Sequence, residues 1–276
     1  MTAAAVIQLR GDGNLEENLA RAGHWLDRAA KAGARLAVLP ENFAYYGRRD
    51  LDRAAMDEDT PEGPARRLLA DKAREHKLWL VGGTVPVFGE FRDRPHAACL
   101  LVNPEGREVA RYDKIHLFDV HVEATGKHYR ESADYRPGSE PVVADTPFGK
   151  IGLSVCYDLR FPEFYRLQVD AGAEILVAPS AFTAATGEAH WRLLLRARAV
   201  DNLCYVLGAN LAHRDHPKRP TWGGSAIVDP WGRVLAEMAG EEGYALAEVD
   251  LEKQRRIRRN MPALEHRRFC VVKGSS

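Results

Sequence analysis

The sequence predicts an α/β fold of four layers, an α-β-β-α sandwich in which two similar sheets pack together and carry helices outside. The first observation is an internal repeat, because AGARLAVLPENFA (32–44) matches AGAEILVAPSAFT (171–183) nearly position for position. The second is a repeated hairpin, LVNPEGREV (101–109) and IVDPWGRVL (227–235), which follows in both halves. Duplication of a βαβ-plus-hairpin unit would relate the two sheets by a pseudo-two-fold axis. Convergence of similar βα units on similar sequences stays open as the alternative.

The opening of the chain predicts strand, helix and strand. The run AAAVIQL is a short apolar strand, and Asn14 is an N-cap with Glu17 three residues later, a variant of the capping box. An apolar helical face follows, and Gly33 ends the helix. The run RLAVLPENF is a near-continuous apolar strand of the kind that is buried on both faces. Glu41 stands at its carboxyl end, where α/β sheets bind their ligands.

The second half predicts the same order. The strand KIGLSV ends at Cys156, Pro162 suits the first turn of the helix PEFYRLQVDA, and Gly172 ends that helix. A thiol at such a strand-to-helix turn is expected to feel the positive helix end and nearby N–H groups, which favour the thiolate. Taken alone, Cys156 is better explained as a small buried core residue.

The two halves are expected to form a single domain. No linker rich in proline, glycine and serine separates them. The domain covers residues 1–276, with a core of about 4–250 and a C-terminal extension of about 251–276.

Charge and composition exclude several classes of partner. Thirty-nine basic and thirty-nine acidic residues cancel, so no overall field attracts nucleic acid or an anionic membrane. The N-terminus has no basic region ahead of its short apolar run, and no apolar stretch is long enough to span a bilayer. The four cysteines, Cys99, Cys156, Cys204 and Cys270, are scattered, which suits reduced thiols. We therefore expect a cytoplasmic protein that binds neither nucleic acid nor membrane.

Glu41 and Lys114 are the candidate partners of Cys156. A cysteine nucleophile needs a base, and none of the ten histidines stands at a predicted strand end beside Cys156. Glu41 does, and Ser180 takes its place in the other half, so the carboxylate belongs to one repeat only. Lys114 follows the first hairpin and can stabilise both a thiolate and an oxyanion. Taken singly, Glu41 can equally be a carboxylate on the surface, and Lys114 is better explained as a solvent-exposed lysine.

Together these residues resemble the three signature blocks of the nitrilase, or carbon-nitrogen hydrolase, superfamily. LPENF carries Glu41, YDKIHLFD carries Lys114 and GLSVCYDLRFPE carries Cys156, and the similarity runs from about residue 4 to about residue 268. The resemblance implies the α-β-β-α sandwich, a Glu-Lys-Cys triad formed by these three residues, and no metal or other cofactor. It also implies a second glutamate, which the block HYRESADYRPG places at Glu131.

Within the superfamily the chain resembles the Nit-type amidases, through SAFTAATGEAHWRLLLRARAVDNLCYV and GGSAIVDPWGRVLAE. CYDLRFPE and the loop HRDHPKRPTWG are more similar to the deaminated-glutathione amidases, which we favour. RAVDN is closer to the omega-amidases that act on 2-oxoglutaramate and 2-oxosuccinamate, so that alternative stays open. The resemblance further implies a small-molecule amide substrate and a homodimer or larger homo-oligomer.

The reaction that the resemblance implies is hydrolysis of an amide C–N bond through a thioester. Glu41 takes the proton of Cys156 as the sulfur attacks the carbonyl carbon. Lys114 and the N–H of Tyr157 hold the oxyanion, and Glu131 orients Lys114 or the substrate. Glu41 then activates water, which releases the acid.

Three further residues are candidates for substrate binding. Arg160, four residues after the nucleophile, can pair with a substrate carboxylate through its fork of donors. A structural salt bridge near the helix start is an equal alternative for this arginine. Ser180 and Phe182, from the block SAFT, complete the predicted substrate-binding set.

Several weaker signals point to other functions. The segment from His116 to His128 and the run HRDH (213–216) hold potential ligands without a metal-binding motif, so no metal site is expected. KQRRIRRN (253–260) is basic, but a solvated helix face or a subunit contact suits a neutral chain better than nucleic acid. A catalytically silent interaction protein on the same fold, and a thiol redox protein with a resolving cysteine near Cys156, are the remaining alternatives.

Overall fold

The structure is a computed structural model that describes residues 1–47 and 50–272. The strands are β1 (Thr2–Gln8), β2 (Leu36–Val38), β3 (Trp79–Val81), β4 (Val85–Val87), β5 (His96–Val102), β6 (Glu108–Asp113), β7 (Asp119–Val122), β8 (Lys127–Arg130), β9 (Val142–Thr146), β10 (Gly149–Leu153), β11 (Ile175–Ser180), β12 (Tyr205–Asn210), β13 (Ala226–Val228), β14 (Val234–Glu237) and β15 (Gly243–Val249). The helices are α1 (Leu15–Lys31), α2 (Leu51–Asp57), α3 (Pro64–His76), α4 (Pro162–Asp170), α5 (Ala184–Thr186), α6 (Arg192–Asn202) and α7 (Leu251–Asn260).

The two large sheets have the same strand order, which confirms the predicted repeat. The first runs β15-β1-β2-β3-β5-β6, with β4 also paired to β5, and the second runs β9-β10-β11-β12-β13-β14. Within each sheet the second, third and fourth strands of this order are parallel, and the flanking pairs are antiparallel. The remaining strands, β7 and β8, form a separate hairpin.

Strand β2 shows how alternating side chains build the four layers. Leu36 and Val38 belong to a buried cluster that also contains Ile151 and Leu153 of β10, so they pack between the sheets. Ala37, between them in sequence, joins a second cluster with helix residues of α1 and α3. Because successive strand residues point to opposite faces, an uninterrupted apolar strand serves both layers. Helix α4 contacts β10 and helix α6 contacts β12 in the second sheet.

Helix α1 begins and ends as its sequence predicts. The side chain of Asn14 accepts a hydrogen bond from the backbone N–H of Glu17 at 3.2 Å. Gly33 follows the last turn with φ +100°, a left-handed conformation that costs glycine little. Ala22 and Leu26 lie on the buried face, so the apolar stripe packs against the first sheet.

The strand predicted over RLAVLPENF is shorter than expected. Strand β2 stops at Val38, and residues 41–47 form consecutive turns. Pro40 has no N–H for a strand ladder, and Asn42 adopts a left-handed φ of 54°. Glu41 is therefore held in a turn beyond the sheet rather than on the strand itself.

The basic run 253–260 lies on α7 and contacts its own chain. Arg255 forms an ion pair with Glu174 at 3.2 Å, and Arg258 donates to the carbonyl of Leu203 at 3.1 Å. These contacts dock the last helix onto the second half of the molecule. Across the described ranges, none of the helices combines the length and apolar character that a bilayer span requires.

Candidate active site

One cavity of about 330 Å³ brings together the four residues that the sequence singles out for catalysis. Glu41, Lys114, Glu131 and Cys156 all line it. Glu41 and Lys114 follow strands of the first sheet, Cys156 follows β10 of the second, and Glu131 follows the hairpin strand β8. The two sheets therefore meet at the ends of these strands, where each loop contributes one side chain.

Glu41 is held by both sheets. Its turn is fixed by the next residue, Asn42, whose backbone N–H donates to Oγ1 of Thr84 at 2.8 Å. Glu41 is 3% exposed, and its Oε2 accepts a hydrogen bond from the backbone N–H of Ala181 at 2.9 Å. Its other oxygen, Oε1, lies 2.7 Å from Nζ of Lys114. This carboxylate thus has a fixed position and orientation.

Lys114 is a buried ammonium between two carboxylates. It is 1% exposed, and Nζ lies 2.7 Å from Glu41 and 2.8 Å from Glu131. Burial alone would lower the pKa of Lys114, but Glu131 and Glu41 outweigh it and raise the pKa well above the ordinary value. Its backbone N–H donates to the carbonyl of Ala97 at 3.1 Å, which anchors the residue to β5. The positive charge therefore persists in the cavity.

Glu131 orients Lys114. Both of its carboxylate oxygens accept from Nζ at 2.8 Å, and Oε2 also accepts the backbone N–H of Phe118 at 2.6 Å. Burial raises the pKa of Glu131, Glu41 adds to the rise, and Lys114 opposes it. Of the two roles predicted for this glutamate, the contacts favour orienting the lysine.

Cys156 occupies a strained turn rather than the junction of a strand with an α-helix. Its φ is +49°, a left-handed value that is unusual for a residue other than glycine. Cys156 begins a 3₁₀ turn, Cys156–Arg160, and α4 starts only at Pro162, six residues further along the chain. Such strained residues gather at functional sites, where the surrounding contacts hold them in place.

The surroundings of Cys156 favour the thiol, whereas the expected helix end would have favoured the thiolate. Burial raises the pKa of the Cys156 thiol well above its ordinary value, and the carboxylate of Glu41 raises it further, whereas Lys114 lowers it. The thiol is 7% exposed, so water does little to stabilise a thiolate. The resting sulfur is therefore protonated, with Glu41 in position to accept its proton.

Asp158 holds the strained turn, a role that the sequence reasoning missed. This buried carboxylate accepts from the Val155 N–H at 2.7 Å and from the Tyr112 hydroxyl at 2.8 Å. Its other oxygen lies 2.6 Å from Nδ1 of His116, whose ring stacks on Phe161 at 3.8 Å between centroids. These bonds link the turn that holds Cys156 to the strand that leads to Lys114.

Replacing Asp158 by asparagine is expected to lower the free energy of unfolding by about 2–3 kcal/mol, because one amide NH₂ would face a buried donor. Amide hydrolysis should fall with it, since the turn that holds Cys156 loses a support. Denaturant unfolding and activity assays check both effects. Asp145→Asn is the control, because Asp145 is exposed on β9, which pairs with the strand that precedes Cys156. Equal stability of the two variants would contradict this role of Asp158.

Arg160, Tyr157 and Phe182 line the same cavity, as predicted for substrate-binding residues. The guanidinium of Arg160 lies 5.8 Å from the ring centroid of Tyr157 and 5.5 Å from that of Phe182. Its polar contact is with Nδ1 of His190 at 3.3 Å. Within the described residues Arg160 has no carboxylate partner, so the alternative of a structural salt bridge is wrong. Its charge faces the cavity between two aromatic rings.

The structure places Ser180 outside the cavity. Its side chain is fully buried, and Oγ donates to the carbonyl of Ala178 at 3.0 Å. The prediction that Ser180 binds substrate is therefore wrong, because β11 turns its hydroxyl into the protein. The backbone N–H of the following residue, Ala181, contacts Glu41 instead.

The histidines weighed as metal ligands have other partners. His116 is bonded to Asp158, and the rings of His121 and His128 stack on each other across the β7–β8 hairpin at 4.1 Å. The described residues contain one other group of possible ligands, Asp27, Glu75 and His76. The ammonium of Lys72 lies 2.6 Å from Asp27 and 2.9 Å from Glu75, so a cation already neutralises that group.

The chain is similar to known proteins over nearly its whole length. Residues 3–259 match the family model described as carbon-nitrogen hydrolase. A deaminated glutathione amidase of Synechocystis sp. is 40% identical over 272 residues, which cover 96% of this chain and 98% of that protein. An omega-amidase of Mus musculus is 39% identical over 266 residues, which cover 96% and 94%. The solved structure of Saccharomyces cerevisiae Nit3, a member of branch 10 of the nitrilase superfamily, superposes with a TM-score of 0.85 at 33% identity and covers 97% of each chain.

Proposed function

The chain belongs to the carbon-nitrogen hydrolase family, and we propose that it is a deaminated-glutathione amidase that works through a thioester on Cys156. The observation that carries this proposal is the meeting of Glu41, Lys114 and Cys156 in one cavity. A protonated thiol, a fixed carboxylate and a buried ammonium are the nucleophile, base and electrophile that amide hydrolysis needs. A catalytically silent scaffold would not need this costly burial of charge.

In the first half of the proposed reaction, the sulfur of Cys156 bonds to the amide carbon while its proton passes to Glu41. The carbonyl oxygen becomes an oxyanion, which the ammonium of Lys114 and the N–H of Tyr157 stabilise. The C–N bond then breaks, and the nitrogen leaves with the proton that Glu41 returns. A thioester remains on Cys156, and the amine has left.

In the second half, water attacks the thioester. Glu41 takes a proton from the water molecule as the oxygen of that water bonds to the acyl carbon. The C–S bond breaks, the acid leaves, and the proton goes back to the sulfur. Glu131 keeps Lys114 in place throughout, because both of its oxygens bind Nζ.

We assign Arg160 to the carboxylate of a 2-oxo acid in the acyl half of the substrate. The guanidinium lies beside the aromatic rings of Tyr157 and Phe182, and Arg160 lines the cavity without a carboxylate partner among the described residues. A carboxylate matches the fork of an arginine in geometry as well as charge. The pairing would hold the scissile amide beside Cys156.

The test of this function compares two amides as substrates of the purified protein. We expect hydrolysis of deaminated glutathione, with cysteinylglycine as one product, at a higher kcat/KM than release of ammonia from 2-oxoglutaramate. The opposite order would establish the omega-amidase alternative, which the 39% identity to the mouse omega-amidase supports almost as well. Hydrolysis of nitriles alone would overturn the amidase assignment.

Replacing Glu41 by glutamine is expected to lower kcat by about 10²–10⁴-fold, because the general base is lost. The same change should lower the pKa of the Cys156 thiol, since Glu41 raises it in the native protein and Lys114 lowers it. Thiolate absorbance followed against pH, together with kcat, checks both effects. Glu58→Gln is the control, because Glu58 is a buried carboxylate that does not line the cavity. Its Oε1 accepts a hydrogen bond from the hydroxyl of Tyr45 at 2.5 Å. A Cys156 pKa that does not fall in Glu41→Gln would contradict the electrostatic account.

We also propose a single domain over residues 1–276, a cytoplasmic location and a homodimer or larger homo-oligomer. The shared apolar layer between the sheets supports one domain. Four free thiols suit a reducing compartment. Exposed Leu193 and Val200 on one face of α6 support a subunit contact, and analytical ultracentrifugation measures the oligomeric state.

A further inference from the structure

The cavity carries more cations than the proposed function uses, since only Lys114 and Arg160 have a role in it. In the part of the chain that the structure describes, Lys127, Arg160, Lys218 and Arg219 line the cavity without an ion pair to any carboxylate. Arg130 also lines it, but Asp119 stands opposite in the β7–β8 ladder. Many other arginines and lysines of the molecule do have carboxylate partners, such as Arg66, Arg74 and Lys72. The cavity therefore holds uncompensated positive charge.

Lys218 and Arg219 are presented by a loop that is fixed from three sides. The hydroxyl of Tyr46 donates to the carbonyl of Arg219, and Nζ of Lys127 donates to the carbonyl of Lys218 at 2.9 Å. The backbone N–H groups of both loop residues donate to Nδ1 of His216, at 3.2 and 2.9 Å. The backbone is thus held while the two charged side chains remain exposed at the mouth of the cavity.

The cations at this mouth lie apart from Arg160. The ring of Tyr157, beside Arg160, contacts Phe118 at 5.1 Å between centroids, and Phe118 contacts Tyr129 at 5.2 Å. Arg219 lies near the phenol groups of Tyr129 and Tyr46, where its charge opposes the rise in pKa that burial causes. Arg160 therefore lies beside Tyr157 and Phe182, whereas Arg219 lies near Tyr129 and Tyr46.

An amide substrate extends in two directions from the carbonyl carbon that Cys156 attacks. With Arg160 assigned to the acyl half, Lys218 and Arg219 at the mouth are left for the amine half. Exposed cations attract a carboxylate more weakly than buried ones, but several together act on the same group. The arrangement suits a substrate with an anion at each end.

We propose that Lys218 and Arg219, supported by Lys127, form a second anion subsite that binds the carboxylate of the leaving amine. This inference rests on the proposed function and adds the substrate feature that it selects. Deaminated glutathione has such a carboxylate on its glycine, whereas 2-oxoglutaramate releases only ammonia. The subsite makes the protein prefer peptide-like amides with a terminal carboxylate over simple keto-acid amides.

The test measures kcat/KM for the native protein and for the double variant Lys218→Ala with Arg219→Ala. The substrates are deaminated glutathione, its analogue with a C-terminal carboxamide, and 2-oxoglutaramate. On deaminated glutathione the double variant is expected to lose about tenfold in kcat/KM, mainly through a higher KM, and this loss shrinks at high salt. Activity on 2-oxoglutaramate stays unchanged, and the carboxamide analogue is hydrolysed equally by both proteins.

Arg214→Gln is the matched control, because Arg214 is in the same loop but stacks on Trp222 at 3.9 Å and does not line the cavity. It should leave all three substrates unaffected. An equal loss on deaminated glutathione and 2-oxoglutaramate, or no loss on either, would overturn the second subsite while leaving the amidase intact. Native protein that hydrolyses 2-oxoglutaramate but not deaminated glutathione overturns both the subsite and the substrate assignment. Native protein that hydrolyses neither amide shows instead that the proposed function has failed.

Discussion

Cys156→Ala is expected to reduce amide hydrolysis by at least about 10⁴-fold, because the variant has no atom that can form the thioester. The fold should survive, since the side chain lies at the cavity wall and loses only its sulfur. Initial rates of acid release, measured beside thermal unfolding, separate loss of chemistry from loss of structure. The substitution does not relieve the backbone strain at φ +49°, because alanine meets the same steric penalty there as cysteine. No gain in stability is therefore expected from this source.

Cys99→Ala is the matched control for this experiment. Cys99 is a buried free thiol on β5 that packs between the sheets and does not line the cavity. Its replacement should cost about 1 kcal/mol of stability through lost packing and leave kcat unchanged. If Cys156→Ala retains hydrolysis at the level of Cys99→Ala, the sulfur is not the nucleophile.

Lys114→Met is expected to lose activity. It should also lower the free energy of unfolding by about 3–5 kcal/mol near neutral pH. Without the ammonium, Glu41 and Glu131 face each other in a buried site with no cation between them. Burial already raises the pKa of Glu131, and loss of Lys114 removes the charge that opposes this rise. Protonation in the folded state then favours folding, so part of the lost stability should return as the pH falls. Denaturant unfolding at neutral and mildly acidic pH, with rate measurements, tests this prediction.

Two variants separate the structural role of Lys114 from its catalytic role. Lys72→Met removes a lysine that also lies between two carboxylates, but at a more exposed site away from the cavity, so it should cost about 1 kcal/mol or less. Adding Glu131→Gln to Lys114→Met should restore part of the stability and none of the activity. Recovery of hydrolysis in that double variant would mean that Lys114 only balances charge.

The sequence predicts where the candidate catalytic side chains lie because its internal repeat reveals the arrangement of the strands. The match between residues 32–44 and 171–183 pairs Glu41, which follows β2, with Ser180 at the end of β11, and Ala181 is the next residue. In the folded protein these ends meet, and the N–H of Ala181 donates to Glu41 across the two sheets. A local pattern therefore suffices to place Glu41, because the fold brings the ends of the two repeated strands together.

The ionisation of Cys156 could not be predicted in the same way. Its sequence neighbours suggest a helix end that favours the thiolate, whereas its real environment is set by burial and by Glu41, which is far away in sequence. The support from Asp158 is similar, because Tyr112 and His116 bind its carboxylate from another part of the chain. Such properties depend on packing between distant segments, which composition and spacing do not record.

Ser180 shows a related failure at the level of one side chain. It is the counterpart of Glu41 in the other repeat and was predicted, from the block SAFT, to bind substrate. Its hydroxyl instead satisfies the carbonyl of Ala178 inside the protein. The first repeat reaches the cavity because its chain turns after β2, and the second reaches it with the backbone of Ala181.

The most direct test of the central claim is to find the acyl group during turnover. The native protein is mixed with deaminated glutathione, quenched in acid and digested, and the peptides are mapped by mass spectrometry. We predict one adduct of the 2-oxo-acyl mass, on the peptide that contains Cys156, and its loss when the quenched protein is treated with hydroxylamine. An acyl group on any other residue, or hydrolysis that continues after Cys156 has been fully alkylated, would contradict the account.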